Sequence, residues 1–175
     1  MKLILLLNGV PSAGKTSIAQ AFQKREDHAF FVLSNDMFEE MINDHHILED
    51  YWNHFYKIVG VLYRTVLAFA QSGYKVIIDG MILERQEFRN NESHYNMLRH
   101  TLRSCNLRIV EIYCPLDVCR RRNRARGNRY EGISDDYSKC MSSDVMYDFR
   151  VDTDVLSPHE CCDRIIEFCV SKGWL

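Results

Sequence analysis

Apolar runs of five or six residues alternate along this chain with stretches in which apolar residues recur every three or four positions. Leu3 to Leu7 is continuously apolar and ends at Asn8, the pattern of a strand buried on both faces. Ser17 to Glu26 carries Ile18, Ala19 and Phe22 at helical spacing, and His28 to Leu33 reads as a second buried strand. After Ser34-Asn35-Asp36, the residues Phe38, Met41 and Ile42 fall at helical spacing again. Trp52, Phe55, Val59, Leu62, Val66 and Phe69 mark the longest amphipathic helix, which begins near Tyr51 and is closed by Gly73.

Lys75 to Asp79 predicts a third strand, residues 84 to 104 a helix interrupted near Asn90-Asn91, and Leu107 to Cys114 a fourth strand. Pro115 opens a helix that Gly127 ends; Asp135 to Tyr147 predicts another helix and Phe149 to Asp152 a fifth strand. Ser157-Pro-His-Glu160 is a capping box ahead of a helix that buries Ile165, Ile166, Cys169 and Val170. Strands alternating with amphipathic helices predict an α/β fold: one domain over residues 1–175, a five-stranded parallel sheet with helices on both faces. Ligands of such sheets bind beyond the carboxyl ends of the strands.

The first of those ends carries Gly9-x-x-x-x-Gly14-Lys15-Thr16, a phosphate-binding loop between strand and helix. Gly9, Val10, Pro11, Ser12, Ala13, Gly14, Lys15, Thr16 and Ser17 are the candidate nucleotide-binding residues. In such a loop, backbone N–H groups cradle phosphate oxygens, Lys15 reaches the β- and γ-phosphates, and the Thr16 hydroxyl can ligate Mg²⁺. The N-terminus of the following helix adds partial positive charge under the anion.

Two carboxylates stand at the other strand ends. Asp36 follows strand two, where an acceptor hydroxyl approaches a phosphate held by Lys15; orienting that hydroxyl and taking its proton late suffices for phosphoryl transfer. A helix cap is the bland alternative for Asp36. Asp79, at the end of strand three, is the candidate Mg²⁺ residue with Thr16, and Glu84 is a further candidate nearby. Arg122, Arg126 and Arg129 share a helical stripe. The Gly127-Asn128 break predicts a mobile segment, Arg126 to Gly132, able to place Arg126 and Arg129 on a transferring phosphoryl group. Arg120 and Arg124 read as surface charge. His45, His46 and His54 lack a third ligand at metal spacing, and part of the Phe38, Trp52, Phe55 and Tyr56 cluster can line an acceptor pocket.

Composition narrows the partners. Lys and Arg number 22 against 24 Asp and Glu, a formal net charge of -2 that argues against a general nucleic-acid partner. Seven cysteines without a C-x-x-C pair suit a reducing compartment, and the short apolar N-terminal run suits neither a secretory signal nor a membrane span. A cytoplasmic protein is the expectation.

Taken together, NGVPSAGKT at the start, Asp36, IIDG at strand three, RARGNRYEGIS at 124–134 and YDFRVDT at 147–153 resemble the chloramphenicol phosphotransferase-like family of P-loop kinases. The resemblance implies a P-loop kinase-like three-layer sandwich with a small lid at about 122–134, and ATP- and Mg²⁺-dependent phosphorylation of a small-molecule hydroxyl. It implies Asp36 as the base and Arg126 and Arg129 as lid arginines. The segment Glu40 to Lys57 departs from the family pattern, so the reaction type is better indicated than the acceptor. A nucleoside or nucleotide kinase and a non-catalytic nucleotide-binding switch are the alternatives. No N-K-x-D motif supports a GTPase, and the acidic stretch from Glu39 to Asp50 disfavours a strongly anionic acceptor.

Overall fold

The computed structural model describes residues 2–88, 91–127 and 129–175, with only the backbone at Asp44 and Ile47. Five strands, β1 (Leu3–Asn8), β2 (Phe30–Ser34), β3 (Lys75–Gly80), β4 (Asn106–Tyr113) and β5 (Phe149–Asp152), form one sheet in the order β2-β3-β1-β4-β5. Every pairing is parallel. The helices in chain order are α1 (Lys15–Gln23), α2 (Asn35–Glu39), α3 (Asp44–Leu48), α4 (Tyr51–Gln71), α5 (His94–Thr101), α6 (Leu116–Arg126), α7 (Ile133–Ser138) and α8 (Pro158–Ser171).

Strand β1 shows why the fold has three layers. Its side chains alternate between faces: Leu3, Leu5 and Leu7 pack with Ile18 and Phe22 of α1 and Ile165 of α8. Ile4 and Leu6 pack on the other side with Val59 and Leu62 of α4 and Leu98 of α5. Both faces are covered, which is why the strand reads as an unbroken apolar run. Cys119, Cys161, Cys162 and Cys169 belong to the first of these cores. All seven cysteines are free thiols, and burial pushes Cys119 up to about 12, so these groups pack as small apolar residues.

Three expectations about helices fail, for local reasons. The segment after Asp36 splits into α2 and α3. Within 84–104 only a 3₁₀ turn at Gln86–Phe88 and α5 are helical. Asn90, where an interruption was expected, lies outside the described residues. The helix expected over Asp135 to Tyr147 is confined to α7. One cause serves the last two: Leu83 and Met141 form an antiparallel bridge, with Glu84 N donating to Cys140 O and Ser142 N to Ile82 O. These bonds hold both segments extended. Ser93 then starts α5 by accepting from Asn96 N. The capping box of Ser157 and Glu160 and the left-handed C-cap at Gly127 are present as expected.

Candidate active site

The loop from Gly9 to Lys15 is held by its carbonyls. Lys15 Nζ donates to Gly9 O at 2.8 Å and Val10 O at 3.1 Å. Ser134 Oγ donates to Pro11 O at 3.0 Å, and Thr153 Oγ1 to Ala13 O at 2.7 Å. The Thr153 hydroxyl in turn accepts from Arg122 Nη1 at 2.9 Å, and Arg122 Nη2 donates to Thr153 O. With carbonyls engaged in this way, and Ala13 N donating to Val10 O at 3.2 Å, the loop's other N–H groups are the dipole ends left for an anion. Gly9 is required for close approach: a Cβ there would stand 2.4 Å from Ile112 O. Gly14 has φ +101°, a backbone that side chains other than glycine rarely adopt.

Two observations fit this cradle to phosphate and a metal ion. The buried Ser12 hydroxyl has no hydrogen-bond partner among the described residues, so a donor stands unused in the loop. Thr16 Oγ1 donates to Asp79 Oδ2 at 2.6 Å. A hydroxyl and a carboxylate side by side are the hard oxygen ligands that Mg²⁺ takes. Lys15 is nearly buried, and desolvation lowers its pKa despite the opposing pull of Asp79 and Asp36.

Asp36 is not the helix cap. Ser34 performs that role, its Oγ accepting from Met37 N, so the Asp36 carboxylate is free for other work. It is exposed at the rim and bonded to Arg129 Nη2 at 3.2 Å. Asp36, Asn35, Met81 and Arg129 border both the phosphate pocket over the loop and a larger cavity beside it, of about 420 Å³. Arg126 faces the phosphate pocket and also a third cavity of about 370 Å³ that runs over Gly14 to Thr153 and Leu156.

The other four arginines of α6 do not line the large cavity. Arg122 braces the loop through Thr153, while Arg120 pairs with Asp135, Arg121 with Asp117 and Arg124 with Glu131. Asn128, half of the expected hinge, lies outside the described residues. Its neighbours are tied down: Asn123 Nδ2 donates to Tyr130 O at 3.0 Å. Glu84 borders a separate cavity with Arg85 and Phe88. His45 pairs with Glu49 on an exposed face. Of the expected aromatic lining only Phe55 reaches the large cavity, joined by Tyr51 and Tyr137; Phe38, Trp52 and Tyr56 pack against the core.

Sequence reasoning missed Asn35, Glu39 and Tyr51 in the cavity wall and Arg122, Ser134 and Thr153 as supports of the loop. A signal for the first group existed: Ser34 at a strand end reads as a helix cap, which puts the next residues at the strand's carboxyl edge. Thr153 stood in the YDFRVDT motif, but its bond to the loop, 140 residues away, leaves no local pattern.

The chain is similar to several known proteins. Two Mycobacterium tuberculosis proteins, "Putative O-phosphotransferase Rv2636" and its counterpart in strain CDC 1551, are each 26% identical over 94% of this chain and 80% of their own length. Among solved structures, the M. tuberculosis APS kinase CysC in complex with AMPPNP and APS superposes with a TM-score of 0.69 at 19% identity, covering 97% of each chain. Shikimate kinase from Acinetobacter baumannii gives 0.65 at 16% identity, covering 98% of this chain and 94% of its own. These likenesses show a P-loop kinase fold. The profile of chloramphenicol phosphotransferase-like proteins matches residues 2–170, and the chain belongs to that family.

Proposed function

We propose that this protein is an ATP- and Mg²⁺-dependent phosphotransferase that moves the γ-phosphoryl group to a hydroxyl of a small molecule, a chloramphenicol-like compound or related metabolite. One observation carries the reading: Lys15, the Thr16–Asp79 pair and Asp36, from three strand ends, meet around adjoining phosphate and acceptor pockets. Lys15 and the loop N–H groups bind the β- and γ-phosphates. Thr16 and Asp79 would hold Mg²⁺, which when bound supplies charge neutralisation on the phosphates.

Asp36 orients the acceptor hydroxyl and takes its proton as the new O–P bond forms and the bond to the β,γ-bridging oxygen breaks, releasing ADP. Arg126 and Arg129 stabilise charge on the moving phosphoryl group. Among the described residues the acceptor cavity is lined by three carboxylates and one arginine, which disfavours an acceptor that is itself a phosphate ester. A nucleotide kinase is therefore the weaker reading.

The test is incubation with Mg-ATP and a panel of chloramphenicol, sugars, shikimate, nucleosides and amino alcohols, read by mass spectrometry for a gain of one phosphoryl group. Transfer that is abolished in Asp36→Asn while ATP affinity holds within about threefold supports the reading. Tight ATP binding with no acceptor modified overturns it in favour of a nucleotide-binding switch.

A further inference from the structure

The acceptor cavity carries a charge that its own residues leave unanswered. Asp36, Glu39 and Glu40 line it, and the one cation lining it among the described residues, Arg129, is already bonded to Asp36. Glu39 is half-buried; its one hydrogen-bond partner among the described residues is the Tyr51 hydroxyl at 3.4 Å, and it has no cationic partner there. Burial, with the Asp36 carboxylate beside it, pushes Glu39 up to about 7. A second observation is independent of the acids. Asn35 is 4% exposed, borders both cavities, and its amide nitrogen has no hydrogen-bond partner among the described residues. An unmade buried donor is costly unless a ligand oxygen meets it.

We propose that the acceptor is an amino alcohol, its hydroxyl lodged between Asp36 and the Asn35 amide and its ammonium group held by Glu39 beside the Tyr51 and Tyr137 rings. The inference rests on the phosphotransferase reading above. An anionic acceptor would meet three carboxylates, and a neutral one would leave the half-buried Glu39 with only the long bond to the Tyr51 hydroxyl among the described residues. An ammonium group supplies a counter-charge together with N–H donors, and aromatic faces attract it further. The reaction stays balanced: the hydroxyl proton passes to Asp36, the acceptor oxygen bonds phosphorus, ADP leaves, and the ammonium keeps its protons. The cavity of about 420 Å³ suits a ligand of one aromatic ring and a short chain.

The groups facing Glu39 among the described residues are Asp36 from α2, Glu40 just after it, Tyr51 from α4, Tyr137 from α7 and Arg129. Burial pushes both tyrosines further up, away from neutral pH. Ionisation of Glu39 therefore strengthens ammonium binding as pH rises from 6 to 8.

The experiment uses matched probes, phenylalaninol and the deacylated amine of chloramphenicol, each beside its N-acyl counterpart. Binding is followed by calorimetry and transfer from Mg-ATP by mass spectrometry, in wild type, Glu39→Gln and Glu39→Asp. The expected result is that each amine binds about tenfold more tightly than its amide at pH 8. That preference shrinks at pH 6, is lost in Glu39→Gln and survives in Glu39→Asp. Equal binding of amine and amide, or an amine preference untouched by Glu39→Gln, overturns the proposal, as does failure of every probe to bind. Amine binding that depends on Glu39 without any phosphoryl transfer upholds the recognition and overturns the reading of the reaction instead.

Discussion

Arg129 and Asp36, 93 residues apart in the chain, meet through a 3.2 Å hydrogen bond where the phosphate and acceptor pockets join. The bond holds the proposed base and a proposed phosphoryl-binding arginine together at the place where the reacting atoms would stand. Both side chains are open enough to water, Asp36 at 66% and Arg129 at 29% exposure, that the pair adds little to stability. Arg129→Ala is expected to lower kcat by about 10³-fold while shifting Tm by less than about 2 °C. Steady-state kinetics and a thermal melt on the same preparation check this; a large fall in Tm would make Arg129 a structural residue.

The Thr16–Asp79 bond leads to a metal prediction. Asp79→Asn keeps shape but removes the charge, so the Mg²⁺ concentration giving half-maximal activity is expected to rise about tenfold. Affinity for ATP measured without metal is expected to stay within about threefold. An unchanged Mg²⁺ dependence would separate Asp79 from the metal.

Thr153 stands between Arg122 and the loop carbonyl of Ala13. Thr153→Val removes the hydroxyl, leaving the Ala13 carbonyl without its donor while Arg122 keeps its bonds to Thr153 O and Cys114 Sγ, at a cost of about 1–3 kcal/mol in unfolding free energy. ATP affinity is expected to fall by about tenfold, because the Ala13 peptide is no longer held. Denaturant unfolding and calorimetry would read both, and a loss of stability with full ATP affinity would detach Thr153 from the loop.

His94 gives the fold an acid limit. It is fully buried among Phe55, Tyr56 and Phe88, and neither ring nitrogen has a hydrogen-bond partner among the described residues. Burial lowers its pKa from 6.5 to about 4. The unfolded chain therefore binds the proton more tightly between those values. The stabilising contribution is whole above pH 6.5 and fades as pH falls toward 4, by on the order of 2–3 kcal/mol. His94→Phe is expected to flatten the loss of stability between pH 7 and pH 5. Parallel losses in both proteins would place the acid sensitivity elsewhere.

Much of this was legible because it rests on short-range patterns. The strand run of Leu3 to Asn8, the left-handed turn at Gly14 and the Ser157 capping box each act within a few residues, and each is where the sequence places it. The failures involve long-range pairing. The Leu83–Met141 bridge joins residues 58 positions apart, and helical spacing in 84–104 and 135–147 carries no trace of it. Asp36 was legible as a strand-end carboxylate but not as one relieved of capping by Ser34. Glu39 showed only as part of an acidic stretch; its burial and the lack of a counter-charge are properties of the assembled cavity.

The loop at Gly9 to Lys15 is encoded at the start of the chain, yet two of its carbonyls are held by Ser134 and Thr153. During synthesis, a ribosome-bound chain would display the whole glycine-rich motif long before either hydroxyl had left the exit tunnel. Nucleotide capture is therefore expected to be a late event in biosynthesis: nascent chains stopped before residue 134 should bind ATP far more weakly than chains carried past α8.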